Sequence, residues 1–90
     1  DQANLSPDLQ LIRIPEGSPS IGVPLNALGL DRIPGALLLA EREADGSWHY
    51  NPPRNEKVRA GMVLIFLGSP DDARALCEHL GGEMISMPRE

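Results

Sequence analysis

Ile12-Arg13-Ile14-Pro15-Glu16-Gly17-Ser18-Pro19-Ser20-Ile21-Gly22-Val23-Pro24-Leu25 decides how this chain is read. Its apolar start is the end of a strand, and Pro15 stops that strand because proline donates no ladder hydrogen bond. Glu16 to Pro19 is turn chemistry. Pro24 then suits the first position of a helix, where a missing N–H costs nothing. Upstream, Leu9 to Ile14 alternates as a strand does: Leu9, Leu11 and Arg13 share one face, Ile12 and Ile14 the other. Downstream, Leu25 and Leu28 share a face with Ile21 behind them, and Gly29 is placed to end the helix in a left-handed conformation. A helix so short needs tertiary packing to persist.

The same strand–turn–helix grammar recurs from Gly61 to Asp72. Met62 to Leu67 reads as a buried strand ended by Gly68. Ser69 suits an N-cap, Pro70 the first turn, and Asp71 and Asp72 the positive end of the helix dipole. Ala73, Leu76, Cys77 and Leu80 then fall on one apolar stripe, and Gly81-Gly82 stops the helix. Between the two units lies Ala36 to Glu43, whose residues are good helix formers. Context favours a strand, because Pro34-Gly35 blocks helical entry and Asp45-Gly46 signals a hairpin turn. Its consecutive apolar residues predict burial on both faces, hence a central strand, with Ser47 to Asn51 returning beside it. Pro52-Pro53-Arg54-Asn55 is irregular. The expected fold is α+β: a small mixed, mostly antiparallel four-stranded sheet with two helices, in the order β-α-β-β-β-α. The domain should span residues 9–82, with a linker at 1–8 and a tail or short edge strand at 83–90, through Met84–Met87.

Ninety residues make a single domain. With one Trp, one Tyr and one Phe, its core must be aliphatic. A chain this short buries only ~60–65% of its unfolded surface, so an oligomer interface would add to a thin stability margin. The net charge of −5 argues against a nucleic-acid surface and against docking on anionic lipid. Cys77 is the only cysteine, which precludes an intrachain disulfide and suits a reducing compartment. The longest apolar runs, Ala36–Ala40 and Met62–Leu67, fall far short of the ~20 residues of a membrane helix. The first residue, Asp1, opens no signal peptide and is not an initiator Met, as suits a piece of something longer.

No catalytic, cofactor or metal residues are expected. Cys77 and His79 sit two apart on the predicted helix and so point away from each other, and Cys77 falls on the core-facing stripe. Asp71 and Asp72 read as caps. Gly17 to Gly22 lacks the Lys of a phosphate-binding loop and the spacing of a dinucleotide fingerprint, so a structural turn is favoured over a ligand contact. Arg13 is expected on a solvent face or against a partner subunit. Trp48 and Tyr50, alternating with His49, either mark an interface or cover the edge of their own core.

The order of these elements resembles the C-terminal domain of regulator-of-potassium-conductance proteins, the TrkA-C family, from about Leu9 to Gly81. Gly17-Ser18-Pro19, Ile21-Gly22 and Leu25, followed by Leu28 and Leu30, look like the family's first turn and helix. Gly35 to Arg42 looks like its next strand, with Ala40 and Arg42 in register. Pro52-Pro53, Gly61, Val63–Gly68 and Asp71–Leu80 are similar to the later loop, turn, strand and helix. Met62 stands where the family usually has Asp. Some members bind cyclic di-adenosine monophosphate through an acid-x-Arg pair and a later Asn. The matching places here hold Gly29, Asp31 and the aliphatic run around Leu37, so no such ligand residues are carried over.

The resemblance implies a cytoplasmic, non-catalytic, ligand-sensing and dimerising domain of a potassium channel or potassium uptake system. Its partners would be a second copy, the parent membrane protein and a small-molecule or ion effector, with no nucleic acid and no membrane insertion. Arg13, Ser18, Ile21, Gly22, Leu25 and Leu28 are the residues expected at a ligand or dimer contact. The same module on another cation antiporter or an anion permease, or a ligand-free interaction domain, is the alternative.

Overall fold

The computed structural model of the protein describes residues 8–86. Of the linker expected at 1–8, residues 1–7 lie outside the described residues, as does the far end of the tail, 87–90, while Asp8 already belongs to the first strand. Among the described residues, five strands form one antiparallel sheet: β1 (Asp8–Arg13), β2 (Leu37–Arg42), β3 (Trp48–Tyr50), β4 (Val63–Gly68) and β5 (Glu83–Ile85). Their order across the sheet is β3-β2-β4-β1-β5. One α-helix, α1 (Pro70–Leu80), packs on the sheet, and two 3₁₀ turns lie at Leu25–Ala27 and Leu30–Arg32.

The α+β class stands, but the expected four strands and two helices become five strands and one helix. Every strand pair is antiparallel, so the sheet is not mixed. The expected first helix fails for a local reason. Pro24 is extended and bridges to Lys57, and the N–H groups of Leu25 and Asn26 donate to Glu56 and Arg54 carbonyls. The next two N–H groups, of Ala27 and Leu28, donate only three residues back, to Pro24 and Leu25, so the segment makes a single 3₁₀ turn. Gly29, at φ 74°, then turns left-handed, as expected, and splits the segment into two short turns. The fifth strand is the foreseen edge strand, one residue earlier. Its entry depends on Gly82, where a Cβ would lie 2.4 Å from Ile12 Cγ2.

β4 is the middle strand, flanked by β1 and β2, and carries the continuous run Val63-Leu64-Ile65-Phe66 that burial on both faces demands. β2, expected to be central, lies second from the edge. Under α1, Ile12, Leu38, Leu64 and Phe66 pack with Leu76, Cys77 and Leu80 of the helix and with Leu25, Leu28, Val58 and Met62. Fully burying each of the helical leucines is worth ~1.5–3 kcal/mol, which holds an otherwise marginal helix in place. The opposite face carries a smaller cluster of Leu11, Ala40, Val63 and Ile65.

Both ends of α1 are fixed by side chains. At its start the Asp72 N–H donates to Ser69 Oγ at 3.1 Å. At its end Gly81, at φ 67°, makes the left-handed cap. Ser18 Oγ and Ser20 Oγ both donate to the Leu80 carbonyl, at 3.0 and 2.7 Å. The turn after β1 is therefore tied to the last turn of the helix.

β2 contains a bulge. Leu38 pairs with Phe66 and Ala40 with Ile65, so two steps along β2 match one along β4. Side chains alternate along a strand, and one extra residue reverses that alternation. Leu38 faces the helix side; without the bulge Ala40 would follow it inward and Glu41 would face outward. With the bulge Ala40 joins the outer cluster, and Glu41 pairs with Leu64 on the helix side.

Candidate functional site

The residues singled out from sequence divide by role. Leu25 and Leu28 are buried in the core of their own chain. Ser18 caps α1. Gly22, at φ 84°, donates its N–H to the Val58 carbonyl at 2.8 Å and holds the turn to the loop before β4. Ile21 beside it is exposed. Arg13 lies on the outer face of the sheet and pairs with Glu83 across the β1–β5 ladder, at 2.7 Å. The structure thus brings Ser18, Ile21 and Gly22 together in one turn and sets Arg13 apart from them.

The strand pairings build a continuous outer face. Across it run Glu83, Arg13, Val63, Arg42 and Trp48; then Ile85, Leu11, Ile65, Ala40 and Tyr50; then Leu9, Leu67 and Leu37. Leu37 is 58% exposed and Tyr50 77%. The Trp48 and Tyr50 rings stack, with centroids 6.1 Å apart and 12° between planes. No described helix covers this face, since α1 packs on the other.

The second feature lies on the helix side, at the β2–β3 hairpin, and sequence reasoning missed it. Glu41 and Glu43 are two apart along the strand direction, and His49 pairs with Glu41 across the hairpin. One carboxylate oxygen from each glutamate and one imidazole nitrogen of His49 lie within 4.8 Å of one another. Glu41 is 0% exposed, and neither of its carboxylate oxygens has a hydrogen-bond partner among the described residues. Glu43 accepts two hydrogen bonds from Arg59, from Nε at 3.1 Å and from Nη2. Hydrogen bonding to Glu43 raises the Arg59 pKa above its usual value. His49 Nε2 lies 3.7 Å from Glu43 Oε2. Glu56, whose Oε2 is buried without a hydrogen bond, lies 3.6 Å from Arg59. A glutamate pair two apart in a strand, with a histidine returning across an Asp-Gly turn, was the available signal. The bulge that turns it inward was not.

Other polar groups serve the fold. Cys77 is buried among core side chains, and desolvation pushes its thiol pKa up, with Glu83 and Glu78 adding to the shift. His79 is bonded to the Leu28 carbonyl at 2.8 Å, away from Cys77. Asp71 pairs with Arg74 on the same helix. A groove of about 590 Å³ beside the end of β5 holds Asp8 as its one titratable lining residue. Among the described residues, neither this groove nor the smaller one at Ser69–Arg74 gathers a convergent acid–base set.

The TrkA-C domain family matches the chain over residues 9–81, nearly all of it. No curated protein sequence matches.

Proposed function

Because this chain belongs to the TrkA-C domain family, a family of regulatory domains associated with potassium and other ion transport, we propose that it is the ligand-sensing and dimerising domain of a potassium channel or potassium uptake system. The observation that carries this reading is the family match over 9–81, which runs from the second residue of β1 to the cap of α1. The family is generally non-catalytic, and the shallow grooves are in keeping with that.

Regulation by such a domain is a matter of two arrangements. A ligand moves the equilibrium between them only by its difference in affinity for the two. Carrying a system from 1:99 to 99:1 takes about a 10⁴-fold difference. An interface between two copies is a natural bistable element for that bias. The outer sheet face, with Leu9, Leu37, Trp48 and Tyr50 exposed, supports this role, as does the exposed Ile21–Gly22 turn. A second copy laid on them would bury apolar surface that water otherwise meets. The domain would work in the cytoplasm, attached to its membrane partner.

Light scattering of the purified domain tests this reading. A dimer mass over a range of concentrations is expected. A strict monomer at several hundred micromolar, with the parent's ion flux indifferent to deletion of the domain, would refute it.

A further inference from the structure

We propose that Glu41, Glu43 and His49 form a binding site for a divalent transition cation such as Zn²⁺ or Mn²⁺. Three observations converge. Their ligand atoms lie within 4.8 Å of one another. Glu41 is fully buried, and both its oxygens are unpartnered among the described residues. Acidic groups outnumber basic ones here: the carboxyl groups of Glu41, Glu43 and Glu56 gather around the single guanidinium of Arg59.

Burying a carboxylate without hydrogen bonds or a counter-charge is costly, and folds keep such a group when something else supplies the charge. Arg59 does not supply it to Glu41, since its fork is engaged on Glu43. The β2 bulge aims Glu41 inward when uninterrupted alternation would have sent it outward. A divalent ion beside Glu41 would supply the partner that its buried oxygens lack.

The donor set selects the ion. One imidazole nitrogen with two carboxylates suits Zn²⁺ or Mn²⁺, whereas Ca²⁺ and Mg²⁺ prefer oxygen-only shells. At metal–ligand distances of roughly 2.0–2.2 Å, tetrahedral ligand atoms sit about 3.4 Å apart. The present spacing therefore needs side-chain shifts of about 1 Å, within reach of glutamate rotamers on a surface hairpin. Glu43 retains Arg59 as an outer partner that orients it. Three protein ligands leave a further position for water. His49 is half-exposed and gives access from solvent. The site stands on geometry alone; its service as the effector site of the domain rests on the regulatory reading above.

Thermal unfolding and calorimetry of the chelator-dialysed domain test the site, with ZnCl₂ and MnCl₂ as probes and MgCl₂ and CaCl₂ as comparators. Saturating Zn²⁺ or Mn²⁺ should raise Tm by ~5 °C or more, with a stoichiometry near one. Glu41→Gln should abolish the shift. His49→Ala, an exposed change that leaves the core intact, should weaken apparent affinity at least ~10-fold even if the first variant folds poorly. No heat and no Tm change up to millimolar cation in folded protein would overturn the proposal. So would a cation response that both variants retain, which would mark adventitious surface binding. A cation that binds as expected but leaves the parent's ion flux unchanged would leave the site standing and count against the effector role.

Discussion

A carboxylate without partners raises the energy of the fold that contains it, so the cation-free domain should gain from losing Glu41. Glu41→Met keeps much of the volume and removes the buried polar atoms. It is expected to stabilise the cation-free protein by about 1–3 kcal/mol, read by urea unfolding. A loss of stability would show that Glu41 makes a contact absent from the described structure. Ser20 acts in the opposite sense. Its buried hydroxyl donates to the Leu80 carbonyl at 2.7 Å. Ser20→Ala should cost about 1 kcal/mol, with Ser18 left as the sole side-chain donor to that carbonyl, and its unfolding midpoint should fall accordingly.

At the scale of elements, α1 is fixed by its caps as much as by its apolar stripe. Ser69→Ala removes the acceptor for the Asp72 N–H and should lower stability by about 1 kcal/mol, detectable as a shifted denaturation midpoint with unchanged m-value. This helix was legible in the sequence from end to end, because cap, stripe and terminal glycine all point the same way. So was the β2–β3 hairpin. Asp45 Oδ1 accepts from the Ser47 N–H at 2.9 Å and Gly46 takes a positive φ, chemistry that Asp-Gly announces. The other differences arose where long-range pairing outweighed local pattern. Leu25 and Leu28 have helical spacing, but the segment is tied at its start to the loop at Arg54–Glu56 and turned left-handed at Gly29, which leaves room for one 3₁₀ turn only. The bulge at Leu39 is set by the register of β2 on β4, which no periodicity within β2 encodes. Sequence alone therefore gives no sign that Glu41 is buried. Ile21 and Gly22, named from sequence for a ligand or dimer contact, are exposed, and the paired roles of Ser18 and Ser20 at the helix end were not legible.

For the molecule as a whole, association and pH response follow from its two faces. Leu37 and Tyr50 stand exposed on the outer sheet face, on strands whose core contacts lie elsewhere. If that face joins two copies, Leu37→Glu with Tyr50→Glu should shift the light-scattering mass from dimer to monomer, and circular dichroism should be retained. On the helix side, Cys77 is neutral and desolvated, and its thiol pKa is raised. The folded state thus holds that proton more tightly than the unfolded chain. The contribution is fully present below the ordinary thiol pKa of ~8.5 and declines as pH rises from there through the folded-state value. Unfolding midpoints should fall over that alkaline window in wild type more than in Cys77→Ala. Alkylation of native Cys77 at pH 8 should be much slower than in urea.

The two flanking strands of the sheet, β3 and β5, have three residues each. β3 is cut short by Asn51, a non-glycine residue at φ 46°, and by the Pro52-Pro53 pair behind it. Strand-by-strand recruitment into fibres needs a long, flat margin of unpaired amides, and margins this brief offer little to grip. The domain can thus present stacked aromatics and leucines to a specific mate while giving stray chains scant foothold for cross-β growth.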